Sequence, residues 1–178
     1  MREDSPVQAR TVMHNEYTFA CYDSSGKLRW EEVVHNLVTN EGLDDWLDKY
    51  LKGSSYTAGW FVGLIDTTGF SALAATDVAS NIDGSNGWDE LTDYDETARQ
   101  PLQLAAVSGQ SVTTDTSSKA VFSMNAAKGV KGGFLTSVST QGPNASTILL
   151  GAAAFTSVRS VESGDTLNVS ATLSAASG

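Results

Sequence analysis

Two histidines, a single cysteine and a run of acids are the residues here whose types could act on a substrate. An imidazole works as a general base or metal ligand, and a thiolate as a nucleophile or zinc ligand. His14 and His35 lie far apart, with no HExxH stretch and no neighbouring ligand set. Cys21 stands alone, so it can form neither an internal disulfide nor a cysteine-based zinc site. It falls in the alternating stretch YTFACY, where a small core residue is expected rather than a nucleophile.

The acids of DGSNGWDELTDYDE are Asp83, Asp89, Glu90, Asp93, Asp95 and Glu96. Calcium takes six to eight oxygens, which loops of Asp and Asn can supply, but this spacing is not that of an EF-hand. A carboxylate pair could also hydrolyse glycosides if an apolar pocket kept one acid protonated. Nothing around these acids supplies such a pocket, and the chain is short for that chemistry. A solvated acidic loop is the expectation, with a calcium site as the alternative.

G-x-S-x-G, G-x-x-x-x-G-K-[ST] and G-x-G-x-x-G are all absent. AAKGVKGG (126–133) has glycines and lysines at the wrong spacing for a phosphate cradle and reads as a turn plus a small-residue strand. NAS at Asn144 and NVS at Asn168 match the glycosylation triplet, a coincidence in a chain whose opening MREDSPVQAR has no signal-like apolar stretch. The tryptophans Trp30, Trp46, Trp60 and Trp88 could form a carbohydrate platform. The first three lie on patterned elements and are expected as core anchors; Trp88, in a loop, is the one expected to reach solvent. No residue is assigned as catalytic, cofactor-binding or metal-ligating.

The scaffold that would hold these residues is short and acidic. The chain has 178 residues, a formal net charge of −10, 40% apolar residues and 18% charged ones. That length suits one domain, which buries roughly 70% of its unfolded surface. The negative charge repels phosphate, and the Lys and Arg form no basic stripe, so nucleic acid is not an expected partner. No apolar run approaches the roughly 20 residues of a membrane span. A cytoplasm-like compartment of synthesis follows.

Along the chain, residues 1–16 are polar and read as an extended arm, with a disordered tail as the alternative. Tyr17, Phe19 and Cys21 alternate, DSSG turns the chain, and Leu28 and Trp30 alternate again, which predicts a β-hairpin. A helix over about 40–51 follows. Thr39 or Asn40 caps it, acids fill its first turns, and Gly53 stops it. Leu43, Trp46, Leu47, Tyr50 and Leu51 form one apolar face, expected to close an end of the core. WFVGLI (60–65) reads as a strand buried on both faces. Residues 66–89 read as a long irregular loop with a helical turn near 74–78. Short strands are expected near 90–92, 101–106, 111–113, 120–125, 132–137, 146–154 and 166–173. The expected class is therefore mainly β: an antiparallel β-sandwich or jelly roll over 17–178, with one short capping helix.

The succession NLVTNEGLDDWLDKYLKGSSYTAGWFVGLID, AATDVAS, GWDELTDYDETARQPLQLAAVSG, AVFSMNA, VKGGFLTS and ILLGAAAFTSVRSVESGDTLNVSATLS resembles a widespread family of tailed-bacteriophage virion proteins. The resemblance spans about residues 33–173. It implies a non-enzymatic component of the particle, a capsid decoration (cement) protein on the outside of the major capsid shell. The partners it implies are the major capsid protein and further copies of the chain, as a dimer or trimer. The localisation it implies is the virion surface, after synthesis in the host bacterial cytoplasm. The alternative is a tail-fibre or receptor-binding module whose long loop, with Phe70 and Trp88, contacts host glycan or protein. A glycan depolymerase is a third reading, for which only the loop acids are on offer.

Overall fold

The computed structural model describes residues 11–55 and 59–177. The chain opens with β1 (Thr11–Tyr22) and β2 (Leu28–His35), the expected hairpin. Asp23 makes its turn: one carboxylate oxygen accepts from the Ser25 and Lys27 backbone N–H groups at 2.9 and 3.0 Å. Gly26 takes the left-handed conformation the turn needs, φ +82°. Next come β3 (Leu37–Val38), α1 (Asn40–Tyr50) and β4 (Trp60–Asp66). A 3-10 turn (Ala79–Asn81) precedes β5 (Glu90–Leu91), β6 (Gln100–Leu102), β7 (Ser111–Thr113) and β8 (Ala120–Ser123). The long strands β9 (Lys128–Thr136), β10 (Leu149–Val161) and β11 (Thr166–Ser177) end the chain.

One sheet runs β2-β1-β11-β7, with β8 also on β11; the other runs β3-β10-β9-β4-β5, with β6 also on β4. Every pairing is antiparallel. Buried side chains of both sheets meet in one core, so the fold is an antiparallel β-sandwich with one α-helix among the described residues. The pairing establishes the antiparallel sandwich of the expected class, with β1–β2 and β9–β10 as same-sheet hairpins.

Alternation writes the inner face. Tyr17, Phe19 and Cys21 stand opposite Ala171, Val169 and Leu167 in register, and all six are buried. Val62, Leu64, Leu135 and Phe155 meet them from the other sheet. Phe19 and Phe155 join the layers edge to face at 4.8 Å, worth about 0.5–1.5 kcal/mol beyond the area they bury.

The second sheet is buried on its outer face too. Ile65, Phe134, Leu149 and Ala152 pack there against Ala79, Ile82 and Trp88. This bears out the reading of 60–65 as a doubly buried strand. Gly63 has no side chain because Phe134 occupies the space: a Cβ would stand 2.2 Å from the ring. The segment expected as a long loop is therefore the cover of this sheet, and its helical turn sits at Ala79–Asn81 rather than near 74–78.

Other boundaries move. The arm expected over 1–16 is strand from Thr11, paired from Thr11↔Ser177 to Glu16↔Thr172; its residues 1–10 lie outside the described ones. This pairing also carries β11 past 173, since each strand supplies the other's hydrogen-bond partners. β9 starts at Lys128, inside the expected turn, and β10 runs on to Val161 across a register shift between Ala154 and Arg159. Among the described residues, no helix is long and apolar enough to cross a membrane.

Candidate functional site

The helix keeps its expected bounds and reverses its expected seat. Thr39 caps it, accepting from the Gly42 N–H at 3.1 Å while its own hydroxyl donates to the Leu149 carbonyl. One carboxylate oxygen of Glu41 accepts from the Ala79 and Leu149 N–H groups at 3.0 and 2.8 Å. Gly42 is the buried residue of α1. These polar and small residues fasten the first turn to β10 and to the cover of the sheet. The apolar stripe is left pointing outward: Leu43 is 37% exposed, Trp46 36%, Leu47 44%, Tyr50 75% and Leu51 66%. The expectation that this stripe is buried in closing an end of the core is corrected. Periodicity defines a face, but the close Gly42 contact decides which face turns inward.

Trp46 and Tyr50 stack on that surface with parallel rings 5.9 Å apart. Beside them runs a groove of about 380 Å³ that also reaches Met13, Trp60, Leu104 and Leu173. These come from both sheets, so the groove is the open end of the sandwich with α1 along its rim. This exposed apolar surface is the candidate docking site. Trp and Tyr are also the residue types that most often dominate binding energy. Behind the helix lies a broader, open cleft with Glu41, Asp44, Asp45 and Asp48 on its wall. Glu41 there is already engaged by two backbone N–H groups.

The residues with chemical potential do not converge. His14 and His35 are exposed on the outer side of the first sheet, with His35 Nδ1 3.9 Å from Glu16. Cys21 is buried, as expected, its Sγ 3.6 Å from an Asp165 carboxylate oxygen. Burial, then the Asp165 charge, pushes its thiol up to about 12, which leaves it protonated and unreactive at neutral pH. Among the described residues no group of three His, Cys, Asp or Glu side chains could hold a metal ion.

The acidic segment is not the solvated loop expected from its sequence. Glu90 and Arg99 form a fully buried pair with bonds of 2.9 and 2.8 Å. Glu90 also accepts from the Gly142 N–H at 2.7 Å, and Arg99 donates to the Gly142 carbonyl at 2.8 Å. The Arg99 guanidinium lies 5.1 Å from the Phe134 ring centre. Burial raises the Glu90 carboxyl above its ordinary range, and Arg99 pulls only part of the way back. Asp83 accepts from the Glu90 N–H at 2.6 Å, Asp93 meets Lys128 at 3.0 Å, and Glu96 accepts from the Ser123 N–H and hydroxyl. These acids pin neighbouring segments to one another. Arg99 was missed because no periodicity or motif marks it; its carboxylate partner Glu90 lies nine residues back, and Thr136 and Gly142 come from a distant stretch of chain.

The tryptophans exchange roles. Trp88 is buried against Phe134, its indole N–H donating to Asp77 at 2.9 Å, so the expected exposed ring is a core ring. Trp46, expected in the core, is the exposed one. Trp30 and Trp60 pack against the main core as expected. Phe70, the other aromatic expected to contact a host, is half-buried under the Lys131 ammonium.

No family model matches the chain, and no curated protein matches it significantly.

Proposed function

We propose that the protein is a non-enzymatic structural component of a tailed-bacteriophage particle, a decoration protein that seats on the outer surface of the major capsid shell. The observation that carries this reading is the outward apolar face of α1, set on a sandwich with layers locked on both sides. Such a molecule acts by association. The order of segments over 33–173, which resembles that virion family, supports the same reading. A surface of net charge −10 also suits the outside of a head better than its DNA-filled interior.

Mixing purified protein with unexpanded and expanded shells, then sedimenting them, tests it. Saturable co-sedimentation at a copy number that follows the shell lattice is the expected result. Protein that stays in the supernatant with both shells overturns the reading. The fibre-tip alternative loses its anchor, because the loop ring it relies on, Trp88, is buried.

A further inference from the structure

Two amides lie next to the groove beside α1 with bonds to spare. Strand alternation puts Met13, Asn15 and Tyr17 on one inward face of β1. Met13 lines the groove, and so does Leu173, the register partner of Asn15 on β11. Asn15 is one inward position deeper than Met13 and only 1% exposed. Neither its amide nitrogen nor its amide oxygen has a partner among the described residues. Asn36 stands beside it, its backbone N–H donating to the Asn15 carbonyl at 2.8 Å. The Asn36 amide nitrogen donates to the Tyr17 hydroxyl at 2.8 Å, and its oxygen has no partner either. Gly151 leaves room for that oxygen, which a Cβ there would meet at 2.4 Å, and its neighbour Leu150 lines the groove. Buried polar groups nearly always find partners, so three such atoms together call for one.

We propose that the groove is a binding site for a small, uncharged, aromatic molecule with a carboxamide-like head, the head bonding Asn15 and Asn36. The walls suit the body. Trp46 and Tyr50 present stacked rings and Trp60 a third. The volume of about 380 Å³ falls within the roughly 300–1,000 Å³ of small-molecule sites. The polar end suits the head. Asn15 offers a donor and an acceptor and Asn36 an acceptor, so the complementary group must both accept and donate. Charge favours a neutral head. Lys49, the cation lining the groove, already lies 3.9 Å from both Asp45 and Asp48. A carboxylate would lose its water with no cation of its own to meet.

The inference goes beyond the decoration reading, and its test uses the full chain without shells, so the failure of either leaves the other standing. NMR titration with phenylacetamide, phenylacetate and ethylbenzene, followed at the Trp46 and Trp60 indole N–H signals, compares three heads on one ring. Phenylacetamide is expected to bind about tenfold tighter than either of the others. Trp46→Ala is expected to weaken all three. Asn15→Leu is expected to abolish the preference for the amide while ethylbenzene still binds. It is also expected to keep or raise Tm, because the native amide has no protein bond to lose. No saturable shift with any probe overturns the inference. So do equal affinities for all three, the result if water alone satisfies the amides, and an amide preference that survives Asn15→Leu. The wild-type ranking needs no variant and decides the matter even where N15L fails to fold.

Discussion

Gly42 lies so close to Leu150 that a β-carbon on it would stand 2.5 Å from the Leu150 carbonyl oxygen. That approach fixes the side of α1 that faces β10, and so the side that faces outward. The atom in the way is backbone, which cannot swing aside as a side-chain tip would.

Gly42→Ala therefore sets two effects against each other. Alanine raises helix propensity by about 1 kcal/mol. Forcing a methyl into a closed backbone contact costs typically about 1–3 kcal/mol. The contact wins, and a net loss of about 1 kcal/mol is expected, a fall in Tm of about 2–4 °C for a chain of this size. An unchanged or higher Tm in calorimetry would mean that the helix is not seated on Gly42.

Arg99→Met removes one half of a buried pair and leaves the Glu90 carboxylate without its cation. The expected loss is about 3–5 kcal/mol in denaturant unfolding at pH 7. Glu90→Leu combined with R99M removes both charges and is expected to recover most of it, because apolar replacements of similar volume are often neutral. A double variant as unstable as R99M would show that the pair's backbone bonds to Gly142 dominate.

The raised Glu90 carboxyl sets a pH dependence of defined sign. Its folded pKa lies above the unfolded one, so the folded state holds the proton more tightly. The stability this contributes is fully present below the ordinary carboxyl range and is lost as pH rises through the folded pKa. Glu90→Gln cannot titrate there. Between pH 4 and 8 the stability of wild type minus that of E90Q is therefore expected to decrease. The exposed turn acids Asp23 and Asp115, whose pKa values are lowered by hydrogen bonds to Ser25 and Ser117, act in the opposite direction. They cancel in the comparison because both proteins carry them.

Cys21 is expected to resist thiol reagents in the native protein at pH 8 and to react at once in concentrated guanidinium. Its labelling should be roughly a thousandfold slower or more when folded, since the reagent must wait for opening of the sheet. Rapid native labelling would contradict both its burial and its raised pKa.

What the sequence made legible was local. The β1–β2 turn is written in DSSG, the bounds of α1 in Thr39 and Gly53, and the inner face of β11 in Leu167, Val169 and Ala171. Each of these depends on residues within a few positions of one another. What escaped is decided by contacts beyond the reach of local pattern. The orientation of α1 depends on Leu150, the burial of Trp88 on Phe134, and the pairing of Glu90 on an arginine across a turn-rich stretch. A stripe of Leu, Trp and Tyr at helical spacing looks the same whether a core or another molecule covers it. The outward face of α1, on which the proposed function rests, is for that reason the one where the expectation from sequence runs the wrong way round.

The most direct test of the proposed decoration role is the number of copies of this chain in intact tailed-phage particles that carry it, by quantitative mass spectrometry against the major capsid protein. A decoration protein follows the symmetry of the shell, so a copy number in the hundreds, in a fixed ratio to the capsid protein, is the predicted result. A few tens of copies or fewer, or none, would contradict a place on the capsid surface.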